Sequence, residues 1–562
     1  MNAAFVAIAV LVFYFLGYRY YSKFIAEKVF QLSDDEAMPS HELEDGVDYV
    51  PTNKHVLFGH HFSSIAGAAP IIGPAIAVFW GWVPAIFWVV LGTIFMGAVH
   101  DFSALVISAR RKGRSVGDLA GVVMSGRART LFLLIVYFLI FFVLAVFAYA
   151  IAGLFVKYPT SVLPINFEIL VALAIGFFLY RKGVPLLWPS IIALILLYFT
   201  VWIGTKVPIE VPAIMGSPIV TWIIFLLVYS FIASILPVWT LLQPRDYINS
   251  HQLFVGLFVM LLGLFVAHPQ MQAPAFNPNP EGALPLFPFI FVTIACGAIS
   301  GFHGLVSSGT TSKQLDKMSH ARHIGYGGML GEGTLAMVAT LAVAAGISRA
   351  DWLIHYHDWQ TASSGGIANF VLGASTFLQA LKFPPILANT FISVIVISFA
   401  ATSLDTAARI QRLIIGELGS AYQIKLLENR YIGATLAVVP SLLLALFAEA
   451  PGRGLGSGGF LLWPLFGATN QLVGGLTLLV ATIFLWRSGR PIIYTAIPMV
   501  FLICMTTAAM VWNFKTFVGN PLLLVLSAVI LALEIWLILE AVLAFNRQRG
   551  GPDSIAQEAE AD

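Results

Sequence analysis

Long apolar runs, each closed by a short polar or charged segment, set the pattern of this chain from end to end. A helix that crosses a bilayer needs about 20 mainly apolar residues. Runs of that kind predict membrane helices at 3–20, 64–82, 84–108, 130–156, 167–180, 184–204, 218–242, 252–267, 286–304, 324–345, 386–404, 431–448, 459–486, 491–514 and 521–545. One further run, 367–381, is short and is followed by Lys382, Pro384 and Pro385. It reads as a re-entrant or interfacial piece, or as one more span. The expected fold class is an all-α integral membrane protein of about 15–16 transmembrane helices. In the first run the cations Arg19, Lys23 and Lys28 follow the apolar stretch instead of preceding it. A signal peptide has the opposite order, so this run is expected to stay as a first helix.

Composition sharpens the class. Of 562 residues, 59% are hydrophobic and 10% are charged, against roughly 25% charged in a soluble domain. So few charges cannot clothe a soluble surface of this size, which excludes a soluble enzyme and a disordered chain. A net charge of +2 gives no excess for a polyanion, so no nucleic-acid partner is expected. Cys296 and Cys504 each lie inside an apolar run, without disulfide or zinc spacing, and read as small buried residues.

Basic residues set the expected orientation. If the loop holding Arg110, Arg111, Lys112, Arg114, Arg127 and Arg129 is cytoplasmic, alternation puts the other Lys/Arg clusters on the same side, with 367–381 not spanning. The N-terminus is then outside and the C-terminus inside, with a polar cytoplasmic tail over 546–562. The acidic run Asp34-Asp35-Glu36 reads as a solvated face.

Two spans carry backbone breakers. The second reads Ser63-Ser-Ile-Ala-Gly-Ala-Ala-Pro70-Ile-Ile-Gly73-Pro74, and the seventh reads Ser230-Phe-Ile-Ala-Ser234-Ile-Leu-Pro237. Proline removes a backbone donor, and freed backbone is tolerated at membrane depth only where protein packs it or a cavity wets it. The two spans are five crossings apart and oppositely directed in this topology. That is the pattern of inverted five-helix repeats, each opening with a discontinuous helix; two independent proline kinks are the alternative. On the repeat reading the substrate lies against Ile65, Ala66, Gly67 and Pro70 of one break and Ser230, Ser234 and Pro237 of the other.

Ionisable groups inside spans are costly and mark function or helix ties. Glu332, His303 and Asp405 qualify, as do His100-Asp101 and Glu534. Glu332 is expected either to carry a proton or to tie helices. Asp405 has Arg409 four residues on, so a local salt bridge competes with a gating role. His60 and His61 precede the broken span, but neighbours on a helix point about 100° apart, so a shared metal ion is not expected. Ser307, Ser308 and Thr310 are expected to line an ion site or to cap a helix. Arg245-Asp246 reads as a clamp at the end of the seventh span. There is no nucleotide-binding loop, dinucleotide fingerprint or hydrolase elbow, so no cofactor and no enzymatic activity are expected.

Four blocks carry a resemblance. They are Gly59-His60-His61-Phe62-Ser-Ser-Ile-Ala-Gly-Ala68, Leu236-Pro-Val-Trp-Thr-Leu-Leu-Gln-Pro244-Arg-Asp-Tyr247, Ser300-Gly-Phe-His303-Gly-Leu-Val-Ser-Ser-Gly-Thr-Thr311 and Trp463-Pro-Leu-Phe-Gly-Ala-Thr-Asn470-Gln471. Their sequence and order resemble the carbon starvation protein A family. The resemblance implies a fold similar to the amino acid–polyamine–organocation superfamily, in an inner-membrane protein of the carbon-starvation stress response. It implies import of short peptides, or of a small carboxylate such as pyruvate, by symport with a proton. His61, His303, Glu332 and Asp405 are then the candidates for coupling or gating. The chain departs from the family at position 100, where His stands in the block Gly97-Ala-Val-His-Asp-Phe102 in place of an expected Gln, and it is shorter than the longest members. The organisation expected is a peripheral first helix at 1–30, an inverted-repeat core at 55–430, C-terminal membrane helices at 431–545 and the tail. A sodium-coupled carrier and a membrane sensor that binds ligand without moving it are the two rival readings.

Overall fold

The computed structural model describes residues 1–46, 48–182, 187–237 and 240–547. Most of the expected tail and the pair at 238–239 in the second family block lie outside the described residues. The architecture is helical throughout, and among the described residues β-pairing is limited to isolated bridges such as Asn2 with Gln270.

In chain order the membrane helices begin with α1 (Ala3–Val29), the bent pair α2a (Lys54–Ile65) and α2b (Ala69–Trp80), α3 (Trp82–Arg110), α4 (Gly126–Lys157), α5 (Pro159–Phe177) and α6 (Trp188–Gly204). Next come α7 (Pro218–Ile235), α8 (Pro244–Ala267), the short pieces α9a (Leu286–Thr293) and α9b (Gly301–Val306), α10 (Arg322–Gly346) and α11 (Trp359–Ala380). The last five are α12 (Pro385–Ala421), α13 (Arg430–Phe447), α14 (Gly458–Arg487), α15 (Ile493–Thr516) and α16 (Pro521–Asn546).

Twelve of these are long and apolar enough to cross a membrane, and the bent pair makes thirteen. They coincide with all but two of the expected spans. The run 184–204 forms the shorter α6, and 286–304 is not one helix. The run 367–381 is the second half of a 22-residue helix, α11. There α10 and α11 touch backbone to backbone. A Cβ on Gly373 would lie 2.0 Å from the Ala342 carbonyl oxygen, and one on Gly346 would lie 2.3 Å from the Gly373 carbonyl oxygen. Small residues at such crossings replace the hydrophobic drive that lipid removes.

The second span breaks as the prolines predict. α2a ends at Ala66, where ψ turns to 63°, and α2b restarts with Pro70 in its first turn, bent by 49°. The seventh span corrects the expectation: α7 runs unbroken from Pro218 to Ile235. Its proline, Pro237, stands after the C-cap Leu236, so the helix stops before the proline and is not split by it. Ser234 returns its hydroxyl to the Phe231 carbonyl at 2.8 Å. The other break is in the ninth span. Helical geometry stops at Ile294 and resumes at Gly301, with Gly297 at φ +91° between them.

The bundle is layered around α14, whose apolar window is wholly buried, with α10 and α12 nearly so, while α15 and α16 show most of their surface outward. α14, one of the helices after residue 430, is thus among the most deeply buried of the bundle.

Candidate functional site

The two breaks meet. A Cβ on Gly73 would lie 2.2 Å from the Thr293 carbonyl oxygen, and one on Gly297 would lie 3.5 Å from Pro70 Cα and 2.6 Å from Ala336 Cβ. Only glycine allows both approaches. Between the breaks is a void of about 10 Å³, the space of one water centre, lined by Ile65, Gly67, Ala69 and Pro70 from α2 and by Cys296 and Phe302 from α9. Phe147 of α4, Ser403 of α12 and Phe466 of α14 close it. Ala69, Cys296 and Phe466 also line a cavity of about 500 Å³ that extends past Phe289, Trp359, Phe460 and Trp463. Among the described residues no charged side chain lines that larger cavity. It lies at the Trp80 end of α2, since Trp80 donates its indole N–H to the carbonyl of another lining residue, Leu284.

Of the expected substrate contacts, Ile65, Gly67 and Pro70 are at this junction and Ala66 is buried beside them. Ser230, Ser234 and Pro237 are not. Ser230 donates to Asp405 Oδ1 at 3.3 Å, Ser234 is bound to its own helix, and Pro237 is exposed in the α7–α8 connection. The residues that face the α2 break at the junction are Cys296, Gly297 and Phe302. No proline marks this break; Gly297 inside an apolar run is its one local sign in the sequence.

Behind Cys296 lies a chain of buried charge. His303 Nδ1 is 3.1 Å from Asp101 Oδ2 and its Nε2 is 3.3 Å from Glu332 Oε1. The other Asp101 oxygen is 2.7 Å from His100 Nδ1. All four side chains are fully buried. Asp101 comes from α3, His303 from α9b and Glu332 from α10, so the chain ties three helices around the break. Cys296, His303 and Glu332 also offer ligand atoms within 4.8 Å of one another. That thiol, imidazole and carboxylate set is one that a borderline divalent cation accepts, and residues this far apart in sequence form no spacing motif.

A second buried cluster surrounds Asp405. Arg245 pairs with Asp405, and the Tyr229 hydroxyl donates to Asp405 Oδ2 at 3.0 Å. Arg245 Nε stands 3.7 Å from Glu168 Oε1, whose other oxygen accepts from Ser398 at 2.7 Å. The local Asp405–Arg409 pair is not formed; Arg409 instead donates to the Leu236 carbonyl at the end of α7. Sequence reasoning passed over Glu168 because it sits at the edge of the run 167–180. The helix starts at Pro159, which moves Glu168 more than two turns inward.

His60 and His61 diverge as helical geometry requires. His60 Nδ1 is 2.7 Å from Asp246 Oδ2, while His61 Nδ1 is 3.0 Å from Thr311 Oγ1. Thr310 and Ser308 donate to the carbonyls of Val306 and Gly304 on their own helix, and Ser307 is buried without a partner. Two of the three expected ion-site hydroxyls are therefore engaged locally. Glu534 accepts from Thr507 at 2.6 Å and ties α16 to α15 at the periphery.

Crossed helix breaks at the centre of a many-helix bundle, with buried charge beside them, define a multi-pass membrane protein of transporter fold. The fold is shared with a solved mutant of the Eremococcus coleocola manganese transporter: TM-score 0.51 at 13% identity, covering 89% of this chain and 99% of that one. The chain belongs to the carbon starvation protein CstA family, whose model matches residues 2–357 and 353–509. It is 33% identical over 564 residues to the peptide transporter CstA of Campylobacter jejuni, covering 90% of this chain and 79% of the relative. It is 32% identical over 604 residues to the pyruvate/proton symporter BtsT of Escherichia coli, covering 93% and 82%. The peptide transporter CstA of Bacillus subtilis matches at 32% identity, covering 93% and 92%.

Proposed function

We propose that the protein is a secondary active importer of short peptides, or of a small carboxylate such as pyruvate, driven by protons. It would sit in the inner membrane with its N-terminus outside and its C-terminus in the cytoplasm, and it would catalyse no covalent reaction. The observation that carries this reading is the small void between the α2 and α9 breaks, with a large cavity on one side and the Asp101–His303–Glu332 chain beside it. Free amide and carbonyl groups at such breaks suit the ends of a peptide or a carboxylate. Cys296 joins the two systems: it lines both cavities and is within ligand reach of His303 and Glu332. A substrate that displaces the Cys296 segment thereby disturbs the charge chain, which is a route from binding to proton affinity. The relatives named as a peptide transporter and as a pyruvate/proton symporter support both substrate classes and the coupling ion.

Uptake into liposomes tests it. Purified protein under an inward proton gradient should concentrate labelled pyruvate or a di- or tripeptide, and a proton uncoupler should stop it. Accumulation that follows external sodium and ignores the uncoupler would replace the proton with sodium. No accumulation of any of these probes under either gradient would end the carrier reading.

A further inference from the structure

The buried charges around Asp405 do not balance without a proton. Three carboxylates are buried in this region: Glu168 from α5 and Asp405 from α12, linked through Arg245, and Asp246 from α8, the next residue in the chain. Two buried guanidiniums accompany them: Arg245 from α8, paired with Glu168 and Asp405, and Arg409 from α12, which is turned to the Leu236 carbonyl. α7 contributes only the neutral Tyr229 and Ser230. One negative charge is left over in the membrane interior, where an uncompensated charge is strongly disfavoured. A proton restores the balance if it sits on one of these carboxyls or on His60 of α2a, whose Nδ1 is 2.7 Å from Asp246 Oδ2.

Of the hydrogen-bonded pair, His60 is the member nearer solvent. Its side chain is 11% exposed, against 1% for Asp246. His60 Nε2 and Asp246 Oδ1 are both buried without a hydrogen-bond partner, so each has an unfilled position that a proton reaches once the packing around it opens. Six residues along α2a from the exposed Lys54 is about 9 Å. His60 is therefore approached from the Lys54 end of α2, whereas the large cavity lies at the Trp80 end.

The pair is separate from the Asp101–His303–Glu332 chain. His61 turns away from it, toward Thr311 and toward Gly328 of α10, where a Cβ would lie 2.9 Å from His61 Cδ2. Glu332 is the one charged residue of the Gly327–Leu341 helix that packs on that side of α2a. Before it, the turn Arg322–Tyr326 presents Arg322 and His323, and His323 stacks on Phe58 at 4.7 Å.

We propose that His60 and Asp246 form a second proton-exchange site, loaded from the Lys54 end of the molecule and distinct from the Glu332 chain. On loading, a proton leaves a hydronium ion for His60 Nε2, giving water and an imidazolium hydrogen-bonded through Nδ1 to Asp246. Parting of α2a from α8 removes the carboxylate partner, and the proton returns to water. The assignment of this exchange to coupling rests on the carrier reading; the exchange itself does not.

Infrared difference spectra of the full-length protein in liposomes, recorded after pH steps with no substrate, read the pair directly. The wild type should show an imidazole-to-imidazolium change together with a perturbed carboxylate band. His60→Gln should lose the first, and Asp246→Asn should lose the second. Glu332→Gln should keep both. Spectra of His60→Gln and Asp246→Asn indistinguishable from wild type would overturn the site. Should one variant not fold, as judged by thermal unfolding, the other reads the same pair from its partner side. Coupling is read separately as protons moved per labelled pyruvate or trialanine. His60→Gln should lower that ratio, and an unchanged ratio would remove the pair from coupling. Failure of wild-type uptake would end the carrier reading and leave the spectra as evidence on the proton alone.

Discussion

Asn470 Oδ1 accepts the backbone N–H of Phe302 at 3.0 Å, so a side chain of α14 caps the short helix that opens at the α9 break. The Asn470 amide nitrogen donates to Ser300 Oγ at 3.0 Å and to Cys296 Sγ at 3.2 Å. One buried side chain thus holds both edges of the unwound segment. Asn470→Ala removes the cap and leaves buried polar groups unpaired, at a cost of about 1–3 kcal/mol. The expected result is a lower thermal unfolding midpoint for the purified protein. Asn470→Asp keeps the acceptor for Phe302, loses the two donations and should fall between Ala and wild type.

Gly297 is held by both its conformation and its neighbours. Its φ of +91° disfavours any side chain, and an added Cβ would meet Ala336 Cβ at 2.6 Å. Gly297→Ala should destabilise by about 1–3 kcal/mol. Pairing it with Ala336→Gly relieves the contact and leaves the backbone strain. Unfolding midpoints should therefore show partial recovery in the double variant. Full recovery would mean the contact alone demanded glycine.

These two residues also mark what the sequence could and could not reveal. The apolar runs located thirteen of the fifteen spans, because burying backbone in lipid leaves a long unbroken record. The α2 break was legible through Pro70 and Pro74, which act locally. The α9 break was not: Gly297 is required by Pro70 and Ala336, residues far away in sequence, and glycine in an apolar run has many uses. Pro237 misled for the complementary reason, since a proline just past a C-cap looks the same in sequence as one inside a helix. The charge partners failed alike. Asp405 has a plausible neighbour in Arg409, yet its partner is Arg245, 160 residues earlier in the chain. Gly67, His303 and Glu332 are conspicuous in the sequence because each stands out within its own run.

Glu332 ends the buried charge chain on α10, and His303 links it to Asp101. If this carboxyl takes up the transported proton, Glu332→Gln fixes it in a neutral form. Gradient-driven accumulation in liposomes should then be lost, while counterflow exchange of labelled against unlabelled substrate continues, because exchange needs no net proton movement. A Glu332→Gln protein that still concentrates substrate like wild type would place coupling elsewhere.

Outside the membrane helices, Asp34 fastens the segment after α1 to the loop before α10. Its carboxylate accepts the Ser319 backbone N–H at 2.8 Å and the Ser319 hydroxyl at 2.9 Å. The Ser319 backbone N–H, helped by its hydroxyl, Lys317 and His320, holds the Asp34 carboxyl below its usual range. A group lowered in the folded state adds stability above its ordinary pKa, about 3.9 for aspartate, and loses it as pH falls through the lowered native value. Amide exchange around 317–320, corrected for its intrinsic pH dependence, should therefore rise as acid protonates Asp34. In Asp34→Asn that acid dependence should disappear.

Cys296 offers the most direct test of the central junction. It lines both the small void and the large cavity, whereas Cys504 is exposed on α15, on the bundle periphery. In a Cys504→Ser background Cys296 is the single thiol of the chain. A small thiol reagent inside the large cavity meets Cys296 in the wall it shares with Phe466, where the thiol is nearly covered. Modification should be slow, and faster in Phe466→Ala, which opens the partition between the two spaces. A transported solute seated between the breaks should slow the reaction, whereas a solute that only lodges among the outer aromatics should leave the Phe466→Ala rate unprotected. Equal labelling with and without pyruvate or trialanine, in both backgrounds, would show that neither reaches the α2–α9 junction.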